Sequence, residues 1–346
     1  MSNSKTAFIT GITGQDGSYL AEFLLERGYK VIGFGRKSSF VKPNNVSHLA
    51  GKIEVAYGDL IDSVSLASAI QRYKPNEVYN LASQSHPGES WNLSLETGEA
   101  TALGAHRLYD AVRMIKPDCR IYQASSSEMF GDVIETPQTE NTPFNPVNPY
   151  AAAKVYAHNI AHIYRKSYGL FIACGILFNH ESPRRGMHFI TQKVTYGAAC
   201  LKLGIKNSPA YNEEGEPIVK DGKLSLGNLD AKRDWGYAGD YAEAMWLMLQ
   251  QDKPDDFVIG TGKIRTIREL CQTAFDCVGL EWENYVVVDP RFVRPTETGP
   301  TVADASKARM VLGWKPRTTF YDMISIMIDS HLTMLNHSQT KGSQLS

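Results

Sequence analysis

A glycine-rich turn, Gly11-Ile-Thr-Gly14-Gln-Asp-Gly17, separates a short apolar run, Thr6 to Thr10, from a segment of helical pattern that Gly28 closes. Glycines at this spacing let the backbone turn sharply and come close to an anion, and the helix N-terminus beyond them offers unpaired N–H groups. Gly11, Thr13, Gly14, Gln15, Asp16 and Gly17 are therefore candidates to hold a dinucleotide pyrophosphate. A chain that opens this way is committed to a βα unit. Further strand-like runs follow at Lys30 to Phe34, Ile53 to Tyr57, Glu77 to Leu81, Arg120 to Ala124 and Phe171 to Phe178. Strands spaced by helical segments imply right-handed crossovers and a parallel sheet covered on both faces. The expected class is α/β, a Rossmann-type doubly wound sheet with a smaller mixed α/β domain.

Beyond Phe178 the pattern loosens. Ser208 to Lys223 holds two prolines, two glycines and many charges, and reads as a loop or an exposed hairpin. Helical patterns return at Asp240 to Gln251, Ile267 to Val278 and Tyr321 to Leu335. A strand at Phe257 to Gly260 is placed to rejoin the main sheet, and the polar tail from Asn336 is expected to fray. The expected division is residues 1–180 with roughly 229–262 as the dinucleotide domain, and 181–228 with roughly 263–340 as the second domain.

The net charge of −1 gives no reason to expect nucleic acid or a membrane surface as partner. No apolar run approaches a membrane span, and Met1 to Thr6 has no signal-peptide character. Five cysteines without a metal-ligand spacing suit free thiols in a reducing compartment, so a cytoplasmic protein without a metal is expected.

The end of the second strand discriminates between nicotinamide cofactors. An acidic residue there would hold a ribose 2′-hydroxyl and repel a 2′-phosphate. The sequence instead runs Gly35-Arg36-Lys37-Ser38-Ser39, so Arg36 and Ser38 are candidate phosphate ligands and NADP is the expected cofactor. Asp59 and Leu60, after the third strand, are placed to meet the adenine.

Tyr150-Ala-Ala-Ala-Lys154 sets a phenol and an ammonium on one helix face. A free phenol titrates at about pH 10 and is a poor base near neutrality. A neighbouring lysine cation, helped by an oxidised nicotinamide, is expected to lower it. Ser125-Ser126-Ser127-Glu128 follows a strand whose C-terminal end is where an open α/β sheet places its ligands.

With these motifs the chain resembles the extended short-chain dehydrogenase/reductase family and, within it, the nucleotide-sugar branch of GDP-mannose 4,6-dehydratases. The carrying segments are FITGITGQDGSYLAE from Phe8, EVYNLASQSH from Glu77, SSSEMFG from Ser125, GILFNHESPRRG from Gly175, SLGNLDAKRDWG from Ser225, RPTE from Arg294 and LGWKP from Leu312. The resemblance implies Tyr150 and Lys154 as the active-site pair, Ser126 where the family usually has threonine, and Glu128 as the dehydratase base. It places Asn80, Leu81 and His180 near the cofactor. Ser85, Asn179, Glu181, Arg185, Arg233, Arg294 and Glu297 fall at the sugar nucleotide, with Arg184, Arg185 and Arg233 supplying charge for its diphosphate. It further implies a homodimer or homotetramer.

Three segments depart from the family pattern: Pro87-Gly88-Glu89-Ser90-Trp91, the insertion-like Ser208 to Lys223, and a short stretch at Asn284 to Pro290. They leave open a GDP-linked heptose or another modified hexose beside GDP-mannose. A C4 dehydrogenase or epimerase without elimination, and a non-catalytic nucleotide-binding regulator, are the alternatives in kind.

Overall fold

The apolar runs of the first half fold into one parallel sheet. A computed structural model describes residues 4–41, 44–292 and 299–343, with side chains to residue 337. Its strands are β1 (Thr6–Thr10), β2 (Lys30–Gly35), β3 (Glu54–Tyr57), β4 (Glu77–Asn80), β5 (Arg120–Ser126), β6 (Ile172–Leu177), β7 (Asn179–Glu181), β8 (Val219–Lys220), β9 (Lys223–Leu226), β10 (Lys232–Tyr237), β11 (Asp256–Ile259), β12 (Ile264–Thr266) and β13 (Val286–Val288). The helices are α1 (Gln15–Glu26), α2 (Ser63–Tyr73), α3 (Ser94–Thr97), α4 (Gly104–Ile115), α5 (Pro149–Tyr168), α6 (Ile190–Lys202), α7 (Ala238–Met248), α8 (Ile267–Val278) and α9 (Phe320–Ser343).

Seven strands form the main sheet in the order β11-β6-β5-β4-β1-β2-β3, every neighbouring pair parallel. Both faces are covered, which is why every residue of β4 and β6 is buried. One face packs against α1 and α7 through Leu20, Leu24, Met245 and Met248. The other packs against α2, α4 and α5 through Leu66, Leu108, Val112 and Ala157. The strand order reverses between β1 and β4, so their C-terminal ends open a crevice where such sheets take ligands.

The second half builds two three-stranded sheets, β12-β10-β7 and β13-β9-β8, over a separate core of α6, α8 and α9. Within Ser208 to Lys223 the chain doubles back on itself: Tyr211 bridges Pro217, and β8 pairs antiparallel with β9. Two helices depart most from the sequence reading. α6 is a 13-residue helix where no helix was expected, and α9 continues through Ser343 instead of ending near Leu335.

Helix ends are set by local chemistry. Asn148 caps α5 by accepting from the Ala151 N–H at 2.8 Å, with Pro149 at the first helical position. Thr266 and Glu269 form a reciprocal capping box on α8.

Candidate active site

The Gly11 turn passes directly beneath the end of β4. Gly11 adopts φ +70°, and a Cβ there would meet the Ala82 backbone at 2.9 Å. A Cβ on Gly17 would meet the Gly11 carbonyl oxygen at 2.5 Å. Gly14 stands exposed at the N-cap of α1 with no side chain accepting from the first-turn N–H groups. A backbone this tight, ending in uncapped donors, fits a dinucleotide pyrophosphate. The Gly17→Ala protein is expected to lose about 2 kcal/mol of stability, because only backbone surrounds the new methyl. Thermal denaturation measures it; an unchanged melting temperature would mean the turn has room to spare.

Under this turn runs a buried polar chain. Thr10 Oγ1 donates to Asn80 Oδ1 at 2.8 Å and accepts the Leu81 and Ala82 N–H groups at 3.1 Å. Asn80 Nδ2 donates to Gln123 Oε1 at 2.8 Å, which also accepts from the Tyr109 hydroxyl at 2.6 Å. Paired amides of this kind fix the relative height of β1, β4 and β5.

A cavity of about 980 Å³ opens at the same crevice. Of the residues expected from sequence it is lined by Asp16, Leu81, Ser85, Ser126, Glu128, Tyr150, Lys154, Asn179, His180, Glu181, Arg185 and Arg233. Gly11, Thr13, Gly14, Gln15 and Gly17 form the turn beside it. Arg36 and Ser38 lie exposed in the turn after β2, and Asp59 and Leu60 follow β3. Asp59 Oδ1 accepts the Ile61 N–H at 3.3 Å. Arg294 and Glu297 lie outside the described residues.

Tyr150 and Lys154 occupy the first turns of α5, both buried. Burial pushes Tyr150 up to about 12, against the downward pull of the Ser126 hydroxyl, while Glu128 adds to the rise and Arg185 opposes it. The lysine Nζ is turned to the Ala124 carbonyl oxygen at 2.8 Å and lies 5.6 Å from the phenol ring centroid. Burial also lowers Lys154 to about 8, with the Asp16 charge opposing.

Ser126 ends β5 and accepts the Glu128 N–H at 3.2 Å, which directs the half-buried Glu128 into the cavity. Asn148 Nδ2 donates to Glu128 Oε2 at 3.3 Å while its Oδ1 caps α5. One carboxamide therefore ties the carboxylate to the helix that carries Tyr150. Sequence reasoning passed over Asn148, although Asn-Pro before a helical run is a cap signal.

Asp16 and His180 meet at 2.9 Å. Burial opposes ionisation of Asp16, but the charge and hydrogen bond of His180 override it and hold the carboxyl at about 2. Burial likewise works against the His180 cation, and Asp16 raises it nonetheless. Gln15 completes the clasp between α1 and β7, donating to the His180 carbonyl at 3.0 Å and accepting from Ser182 Oγ at 2.8 Å.

Arg185 lies across the Phe189 ring at 3.5 Å, with its Nε 3.5 Å from buried Glu181. Arg184, read from the sequence as charge for a diphosphate, turns toward α1. Its guanidinium is spent on α1, donating to Ser18 Oγ at 3.0 Å and Glu22 Oε1 at 2.6 Å. The departures from the family pattern reach the site as well: His86 to Glu89 and Tyr211 to Glu214 both line the cavity, and Glu213 pairs with Lys193.

Known proteins resemble this chain over nearly its whole length. The sequence profile of the family described as GDP-mannose 4,6 dehydratase matches residues 8–327. GDP-mannose 4,6 dehydratase 1 of Arabidopsis thaliana is 47% identical over 344 residues, covering 95% of this chain and 90% of its own. The human GDP-mannose 4,6 dehydratase is 44% identical over 356 residues, covering 95% and 92%. The fold is shared with the crystal structure of dTDP-glucose 4,6-dehydratase from Bacillus anthracis in complex with NAD, at TM-score 0.79 and 21% identity over 95% of this chain and 97% of that one. The chain belongs to the GDP-mannose 4,6-dehydratase family.

Proposed function

We propose that this chain converts GDP-mannose to its 4-keto-6-deoxy derivative with loss of water, through a retained NADP. The observation that carries the reading is the convergence of Ser126, Glu128, Tyr150 and Lys154 on one cavity in a chain of this family. A nicotinamide bound there supplies hydride acceptance from sugar C4 and hydride return to C6. Tyr150 takes the proton of the sugar 4-hydroxyl, and Ser126 orients that oxygen. The 4-keto group acidifies the C5 proton. Glu128 removes it and delivers a proton to the departing 6-hydroxyl; the hydride returned to C6 is matched by a proton restored at C5, the equivalent of the one Tyr150 took from the 4-hydroxyl. Lys154 and the Gly11–Gly17 turn hold the cofactor, while Ser85, Asn179, Glu181, Arg185 and Arg233 surround the sugar nucleotide. In this reading residues 1–180 with 229–262 form the cofactor half, and 181–228 with 263–340 the substrate half. The enzyme works as a homodimer or homotetramer in the cytoplasm, an assignment compatible with its five free cysteines. No helix among the described residues is long and apolar enough to cross a membrane.

Incubating the purified protein with GDP-mannose tests the reading. Mass spectrometry should show a product lighter by one water, with no net consumption of nicotinamide. Accumulation of reduced cofactor without water loss would make the enzyme a C4 oxidase instead.

NADP preference rests on Arg36 and Ser38 at the exposed turn after β2, with no carboxylate in Gly35 to Ser39. The Arg36→Glu protein is expected to bind NADP roughly 10- to 100-fold more weakly, since a charge-assisted bond to phosphate is lost and repulsion replaces it. NAD binding should change by less than about threefold on the same reasoning. Titration of both cofactors by tryptophan fluorescence separates the cases, and equal losses would remove Arg36 from cofactor choice.

A further inference from the structure

Ser125 also lines the cavity, next to Ser126, and the scheme above gives it no work. Its Oγ lies 2.9 Å from His158 Nδ1. His158 continues the four-residue row that α5 begins with Tyr150 and Lys154, and its ring is buried. The other ring nitrogen, Nε2, faces Asp256 Oδ2 at 3.6 Å. Asp256 is fixed from two further sides, by Arg165 Nη2 at 2.8 Å and His162 Nε2 at 2.6 Å. His158, Cys174 and Asp256 bring ligand-type atoms within 4.8 Å of one another, but the Arg165 guanidinium already neutralises the carboxylate. The cluster is therefore a hydrogen-bonded network rather than a cation site.

The direction of the Ser125 hydroxyl follows from charge. Burial keeps His158 neutral, pushing it down to about 4 against the opposing pull of Asp256. A neutral imidazole carries one N–H. On Nε2 that hydrogen points at the Asp256 carboxylate. On Nδ1 it would leave a lone pair aimed at the carboxylate in a buried site, an unfavourable arrangement. Nδ1 is then the acceptor, and Ser125 must donate to it. The Cys174 thiol, also beside Ser125, is kept neutral by burial and offers only a weak hydrogen-bonding alternative.

We propose that His158, oriented by Asp256, is a positioning residue that turns the Ser125 hydroxyl proton away from the cavity. Ser125 then meets the bound ligands as an acceptor only, at the reacting end of the site. Its partner is an N–H or O–H donor of the cofactor or the sugar. This rests on the dehydratase reading for the identity of those ligands.

Ser125→Ala and His158→Leu should each lower kcat/KM for GDP-mannose about tenfold, the size of one directed hydrogen bond. The double substitution should lower it no further, because both act through one bond. His158→Asn, whose Oδ1 can take the place of Nδ1, should restore most of the rate. A loss expressed in the NADP dissociation constant identifies a cofactor N–H as the donor, and one expressed in KM identifies a sugar hydroxyl. Nitrogen NMR of histidine-labelled protein reads the tautomer without turnover, and should find His158 protonated at Nε2. Protonation at Nδ1, or additive losses in the double variant, would overturn the proposal. Absence of water loss by the unaltered enzyme would instead sink the dehydratase reading and leave the tautomer result standing.

Discussion

Replacing Glu128 by glutamine should stop water loss while leaving the sugar nucleotide bound. The amide fills the same space as the carboxylate and can still accept from Asn148, so the fold around β5 and α5 has no reason to move. What it cannot do is take a proton. General acid–base groups contribute on the order of 10²- to 10⁴-fold, and in the proposed reaction Glu128 serves two transfers, from C5 and to the 6-hydroxyl. We expect kcat to fall about 10³-fold, with KM for GDP-mannose within about twofold of the unaltered enzyme. Exchange of the C5 hydrogen with deuterated water should vanish in parallel, since it depends on the same base. Mass spectrometry and proton NMR of one reaction mixture read both. Water loss persisting within about tenfold of normal would place the base on another residue of the cavity.

The second large effect runs in opposite directions for stability and activity. Lys154 is buried, and burial lowers it from an ordinary 10.5 to about 8. Between those values the unfolded chain binds the extra proton, so stability rises as pH climbs from about 8 to 10.5. Below pH 8 the buried cation is a standing cost of at most about 3 kcal/mol, taken from the displacement of its pKa. Lys154→Met removes the charge but keeps the length. The Ala124 carbonyl that the lysine served still accepts from Gln123 Nε2 at 3.0 Å, so it is not left unpaired. The methionine protein should therefore melt several degrees higher at pH 7. Its stability should also be flat across the alkaline window where the unaltered protein gains. Its kcat should fall about 10³-fold, because the proposed scheme has this cation hold the cofactor against Tyr150. A lower melting temperature would mean that the Nζ–Ala124 hydrogen bond outweighs the burial of charge.

Several of these features are legible in the sequence, and the reasons differ by element. The strands of the main sheet announce themselves because each is a short apolar, β-branched run, and Phe257 to Gly260 alone marks a strand placed to rejoin that sheet, where β11 forms an edge. α6 was invisible for the opposite reason. Thr191 to Cys200 is buried without interruption, so no polar face survives to mark a helical period. β7 and β12 have three residues each, too few for any alternation to register. Within the site, motif spacing singles out Tyr150, Lys154 and Glu128, and all three line one cavity. It could not tell Arg184 from Arg185, neighbours in sequence that turn to opposite tasks. Nor could it foresee that burial dominates Tyr150, because enclosure depends on elements far away along the chain. The contribution of Asn148, which grips both a helix end and a carboxylate, lies in geometry rather than residue type.

The outer partner of β6 is β11, whose residues arrive some eighty positions later in the chain. On the ribosome, strands β1 to β6 emerge with Ile172–Leu177 as a fully apolar, unpaired margin. That margin stays open through the synthesis of α6, both small hairpin strands and α7. A nascent chain in this condition is poised to pair with its neighbours on the same polysome, and its yield will track the supply of holdase chaperones more closely than its finished stability does. Slowing translation between the codons of Leu177 and Asp256 would lengthen the exposure.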